Sequence, residues 1–103
     1  MRIMIRHVVV WTLKPEADGR SKEENIRLLK SELEGLRGRI PQIRFLQVGS
    51  NILTVEGAWD VALIVDFDSL GDLQIYQDHP AHQKVKVLVG KIRDQRATVD
   101  LEY

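Results

Sequence analysis

The chain contains no cysteine, which excludes a disulfide framework, thiol catalysis and thiolate-bound metal, and fits a reducing cytosol. It has no surplus of charge either: 15 Lys and Arg offset 15 Asp and Glu over 103 residues. No block of one sign breaks that balance, so the electrostatic footprint of a nucleic-acid binder or a polybasic membrane anchor is missing. Apolar runs such as Val8-Val9-Val10-Trp11 are far too short for a bilayer span or a signal-peptide hydrophobic region. The seven glycines form no phosphate-binding pattern, and no serine sits in a nucleophile elbow. Repeats, low-complexity tracts and linkers are absent. What remains reads as one soluble, cytoplasmic domain over residues 1–103, with just enough length to bury a core unaided.

Periodicity orders the elements. Ile3 to Leu13 alternates and is rich in β-branched residues, so a first strand is expected there. Pro15 to Gly19 reads as a turn-rich connection. Ser21 and Glu24 form a capping box that opens a helix to about Arg37, with Ile26, Leu29, Leu33 and Leu36 on one apolar stripe. Ile43–Val48 and Trp59–Phe67 read as strands, joined by a loop over Gly49–Gly57. Ser69, with Asp72 three residues on, caps a second helix carrying Leu70, Leu73 and Tyr76. That helix breaks at Asp78-His79 before Pro80, because a residue preceding proline avoids helical geometry. Pro80 then suits the first position of a new helix bearing Val85, Leu88, Val89 and Ile92. Ala97 to Tyr103 closes the chain as a fourth strand.

The order β-α-β-β-α-β is an α+β, ferredoxin-like arrangement: a four-stranded antiparallel sheet with helices on one side. The bare side of such a sheet is normally polar. Here the first strand offers Val8 and Val10 opposite Val9, Trp11 and Leu13, and the third adds Ala62 and Ile64 opposite Val61, Leu63 and Val65, with Trp59 assigned to that latter face. An apolar second face needs a cover, and a second copy of the chain, packed sheet to sheet about a two-fold axis, supplies it. The expectation is an obligate homodimer through the sheet face.

The most distinctive segment is Tyr76-Gln77-Asp78-His79-Pro80-Ala81-His82, which holds two of the three histidines and one of the two tyrosines. Taken with His7–Lys14, with Trp59–Phe67 followed by Asp68-Ser69-Leu70, and with the terminal Val99–Tyr103, it resembles the Dabb family, the stress-responsive dimeric α/β-barrel domain. The resemblance runs over essentially the whole chain. It implies two sheets closing into a barrel across a dimer, and no common reaction. Members include plant stress proteins without assigned chemistry and a plant polyketide cyclase, olivetolic acid cyclase. In the cyclase a tyrosine and a histidine of this segment act in an aldol condensation, and an early-strand histidine lines the pocket; the matching residues here are Tyr76, His82 and His7. The cyclase draws pocket aromatics from its first helix, whereas Ser21–Arg37 contains none, so its polyketide specificity does not carry over. The wider superfamily also holds cofactor-independent monooxygenases and small-ring isomerases.

From the residues themselves, His82 is the best general base. In the first turn of a helix the macrodipole disfavours its charged form, and a neutral imidazole can accept a proton from carbon next to a carbonyl. Tyr76 can donate its hydroxyl to the oxygen that then gains charge. His7 projects with Val9 and Trp11 from one strand face toward a pocket between sheet and helices, and His79 is placed with them as ligand-lining. His79 and His82, with Asp78 adjacent, have helical spacing for a metal but lack a clear third ligand, so no metal site and no cofactor is expected. Two readings stay open. One is a dimeric barrel that binds a small apolar or aromatic carbonyl compound, with cofactor-independent cyclase, lyase, isomerase or monooxygenase-like chemistry. The other is a non-catalytic stress-response or scaffold domain whose histidines cap and pack.

Overall fold

The structure, a computed structural model, describes residues 3–103; Met1 and Arg2, part of the expected domain, lie outside the described residues. Strand β1 (Ile5–Leu13) is followed by two short strands, β2 (Glu16–Ala17) and β3 (Arg20–Ser21). Helix α1 (Lys22–Gly35) runs into a 3-10 turn at Leu36–Gly38, and β4 (Phe45–Ser50) and β5 (Val61–Phe67) follow. Helices α2 (Leu70–Asp78) and α3 (Pro80–Ile92) lead directly into β6 (Arg93–Glu102). The four long strands form one antiparallel sheet in the order β4-β5-β1-β6, the ferredoxin-like arrangement.

Local chemistry explains most of these boundaries. The expected turn-rich connection is a tight hairpin: Asp18 and Gly19 both have positive φ, as a type I′ turn demands. At Ser21 the capping box is complete, the Ser21 hydroxyl accepting from the Glu24 amide while the Glu24 carboxylate accepts from the Ser21 amide. Asn25, fully buried on α1, donates to the Ala17 carbonyl and accepts from Arg20 Nε at 2.7 Å, which ties the hairpin to the helix.

The last strand begins at Arg93, four residues before the expected Ala97. Arg93 adopts extended φ and ψ immediately after α3, and its neighbours Asp94, Gln95 and Arg96 are charged or polar. Such residues read poorly as strand, yet β6 is an edge strand exposed along its whole length, where charge is favoured. Trp59 also departs from expectation. It precedes β5 and lines a groove with Val10, Ala62 and Ile64 on the face away from the helices. Asp60 turns the chain at this point, its amide donating to the Trp11 carbonyl and its carboxylate accepting from the Leu13 amide at 2.8 Å.

The core lies between one sheet face and the helices. Val9, Trp11, Leu13, Val61, Leu63, Val65 and Phe67 meet Leu29, Leu33 and Leu36, Tyr76, and Val85 and Ile92. The opposite sheet face carries Val8, Val10, Ala62, Ile64, Val99 and Leu101 with no helix over it. Toward one end of that face, Asp66 (4 % exposed) accepts two hydrogen bonds from Arg6 at 2.8 Å and another from the Tyr103 hydroxyl. The Arg6 contact holds the Asp66 carboxyl below the usual carboxylate range. No helix among the described residues is long and apolar enough to cross a membrane.

Candidate functional site

The break between α2 and α3 is built from the Tyr76–His82 segment. Ser69 caps α2 by accepting from the Asp72 amide at 3.1 Å, and helical spacing then turns Leu73 and Tyr76 into the core. His79 takes extended φ and ψ before Pro80, as expected of a residue preceding proline. Its Nδ1 accepts from the Ala81 amide at 3.0 Å, so His79 is the N-cap of α3. This occupies one ring nitrogen, and His79 is not among the residues lining the cleft described next.

Between sheet and helices lies an open cleft of about 540 Å³, lined by His7, Val9, Trp11, Tyr76 and His82 together. One water takes up roughly 30 Å³ of liquid, so the space far exceeds a few waters. The Tyr76 ring stands between the histidines, with centroid distances of 4.4 Å to His82 and 6.2 Å to His7, and rests on Phe67 at 5.1 Å. Five of the six residues singled out from the sequence therefore meet in one place.

Each polar group has a definable state. His82 occupies the third position of α3, and its Nδ1 lies 3.1 Å from the Gln77 carbonyl. A carbonyl can only accept, so Nδ1 carries the hydrogen and Nε2 keeps its lone pair. Burial is the main cause that lowers the His82 pKa, partly opposed by the Gln77 carbonyl and reinforced by the electrostatic influence of neighbours such as Lys86 and Arg96. Desolvation thus favours the neutral imidazole. On β1, His7 Nδ1 bonds to the Asp100 carboxylate, which assigns its hydrogen to Nδ1 by the same reasoning. Burial pushes the Tyr76 hydroxyl well above its ordinary pKa, so it stays protonated and acts as a donor.

Two buried donors have no partner among the described residues. They are the Tyr76 hydroxyl (residue 0 % exposed) and Trp11 Nε1 (residue 4 % exposed), and both residues are among those that line the cleft. Buried polar groups are nearly always satisfied, so such a pair calls for an explanation. Asp100 and Gln77, which set the histidine tautomers, lie within the segments singled out from the sequence, yet their roles escape sequence reasoning because each depends on a contact made only in the fold. Only the pairing of β1 with β6, which places Asp100 opposite His7, reveals the first.

No group of three or more His, Cys, Asp or Glu able to hold a metal occurs among the described residues. The comparisons with known proteins bear on the family and the fold. The profile of the Stress responsive A/B Barrel Domain, Dabb, matches residues 5–103. The chain belongs to the Dabb family. The chain is also 36 % identical to an uncharacterized protein of Streptomyces coelicolor, aligned over 78 % of this chain and 80 % of the relative. The same fold occurs in a dimeric ferredoxin-like protein of unknown function from Bacteroides fragilis, at 31 % identity and TM-score 0.82, covering 97 % of this chain and 96 % of that one. It also occurs in a hydroxynitrile lyase of Passiflora edulis, at 14 % identity and TM-score 0.79, covering 97 % and 93 %; that likeness is one of fold. Structural neighbours with this ferredoxin-like fold are thus found as dimers, as the open apolar sheet face of this chain leads one to expect.

Proposed function

We propose that this Dabb protein binds a small apolar or aromatic carbonyl compound in the sheet–helix cleft and transfers a proton without a cofactor. The observation that carries the reading is the pair of buried, unpartnered donors, Trp11 Nε1 and Tyr76 hydroxyl, in one cleft with a neutral His82. A ligand oxygen that reaches them, once a small shift of the cleft lining admits it, would satisfy what the folded chain leaves open. In the proposed step His82 Nε2 takes a proton from carbon next to the carbonyl. The C–H electron pair moves into the carbonyl, and the resulting enolate oxygen accepts from Tyr76. The carbon then recovers a proton or attacks a second carbonyl. That a hydroxynitrile lyase is built on this fold is compatible with such chemistry.

The other reading, a non-catalytic stress-response or scaffold domain, accounts for the capping role of His79 and the Asp100 contact of His7. It leaves the open cleft and the two donors without a reason. Native mass spectrometry of freshly purified protein tests for a co-purified small molecule. Turnover of that molecule is then compared in His82→Ala and Tyr76→Phe. Lost turnover with retained binding supports the assigned roles, and unchanged turnover in both removes them.

The assembly proposed with this function is a homodimer through the open sheet face. Its support is the apolar surface of Val8, Val10, Ile64, Val99 and Leu101, together with a loop after β4 whose Ile52 is 98 % exposed. Apolar surface of this extent is costly in a monomer. Light scattering at micromolar concentration should give twice the 11.8 kDa chain mass; a monomeric value would sink the dimer.

A further inference from the structure

Charge in this chain cancels overall, but not in the cleft. Lys86 from α3, with Arg93 and Arg96 from β6, line its mouth, and all three are exposed there. None has an ion pair or side-chain hydrogen bond with another described residue. Asp78 is the one carboxylate in the lining, and it accepts from Gln74. Asp100, opposite His7 in the register of β1 and β6, is taken by His7. Arg96 sits opposite Trp11 in the β1–β6 register, so its side chain shares the helix-facing side of the sheet. Its charge is felt at both Tyr76 and His82.

The cleft is therefore layered. Buried donors and a neutral base form the floor, Val9, Leu33 and Val85 form apolar walls, and three uncompensated cations stand at the rim. Cations along a partly enclosed cleft focus potential and gather anions, and the arginine fork matches a carboxylate in two parallel hydrogen bonds. We infer that the ligand is an anionic carbonyl compound whose carboxylate is held by Arg96 and Arg93, with Lys86 beside them, while its carbonyl oxygen reaches Tyr76 and Trp11. This rests on the small-molecule reading above and narrows it to a substrate class.

The test is an amide-resolved NMR titration of the full chain with 4-acetylbenzoate and with its neutral counterpart, 4-acetylbenzamide. The acid should bind about tenfold more tightly, equivalent to about 1.4 kcal/mol, and that advantage should fall as salt is raised. In an Arg93→Gln/Arg96→Gln double variant the acid should bind no more tightly than the amide. Both positions are exposed, and a thermal melt checks that the variant folds; the salt series on the unaltered protein stands independently of it. Equal affinities for the two probes, or a preference that survives the double variant, would overturn the anion site while leaving the binding reading intact. If neither probe shifts the resonances of Trp11, Tyr76 and His82, both fall.

Discussion

Replacing Tyr76 by Phe should make this protein more stable and less functional. The Tyr76 hydroxyl is buried and without a partner, and burying an unbonded hydroxyl costs roughly 1–3 kcal/mol judged from mutational data. Phenylalanine keeps the ring contacts with Phe67 at 5.1 Å and with His82 at 4.4 Å, so little packing is lost. The expected net gain is about 1 kcal/mol, which raises the melting temperature by roughly 4–8 °C in a domain of about this size. Circular-dichroism melts at matched protein concentration measure it, the matching being essential because association shifts apparent stability. The same variant should lose affinity for the carbonyl ligand. A melting temperature lowered by several degrees would mean that the hydroxyl is bonded in the folded chain, and the argument for a free donor would fail with it. Sites that hold unsatisfied groups ready for a ligand commonly trade stability for function.

Four further outcomes are expected. On the acid side, His82 is depressed by burial, so the folded chain binds fewer protons than the unfolded one below about pH 6.5. Stability should decline as pH falls from there to the folded pKa, and His82→Gln should flatten that part of a urea-midpoint series; an unchanged slope would refute it. Asp66, also depressed, contributes stability above about pH 3.9 that is lost only as pH falls through its lower folded value. Ile64→Asp, on the open sheet face, should yield a monomer by light scattering, and a mass still twice that of the chain would exclude this face as the interface. Leu29→Ala, at a fully buried position on α1, should cost about 2–5 kcal/mol in urea unfolding, and a loss below about 1 kcal/mol would remove the α1 stripe from the core.

Much of the fold was legible from local chemistry. The Ser21–Glu24 box, the Ser69 cap and the break at His79-Pro80 depend on neighbours in the chain, and all three lie where the pattern of residues puts them. The apolar second face of the sheet was legible too, because alternation along β1 and β5 is a property of consecutive residues. Trp59 misled because the turn at Asp60 depends on β1, across the sheet. The start of β6 misled because polar residues form strand where an edge pairs with β1, and edge pairing leaves no local trace.

The candidate site divides along the same line. By itself the sequence determined that Tyr76 and His82 share one helix break, that His7 shares a strand face with Val9 and Trp11, and that no cysteine chemistry takes part. Spacing along the chain suffices for that. Only tertiary structure decided that these residues enclose an open cleft, and that His79 caps a helix instead of joining them. Burial orphaned Trp11 Nε1 and the Tyr76 hydroxyl, the Gln77 carbonyl set the His82 tautomer, and β1–β6 pairing brought Asp100 to His7 and Arg96 to the rim. Hydrogen bonding and desolvation depend on which atoms are near in space, and that proximity is created by strand order and helix packing.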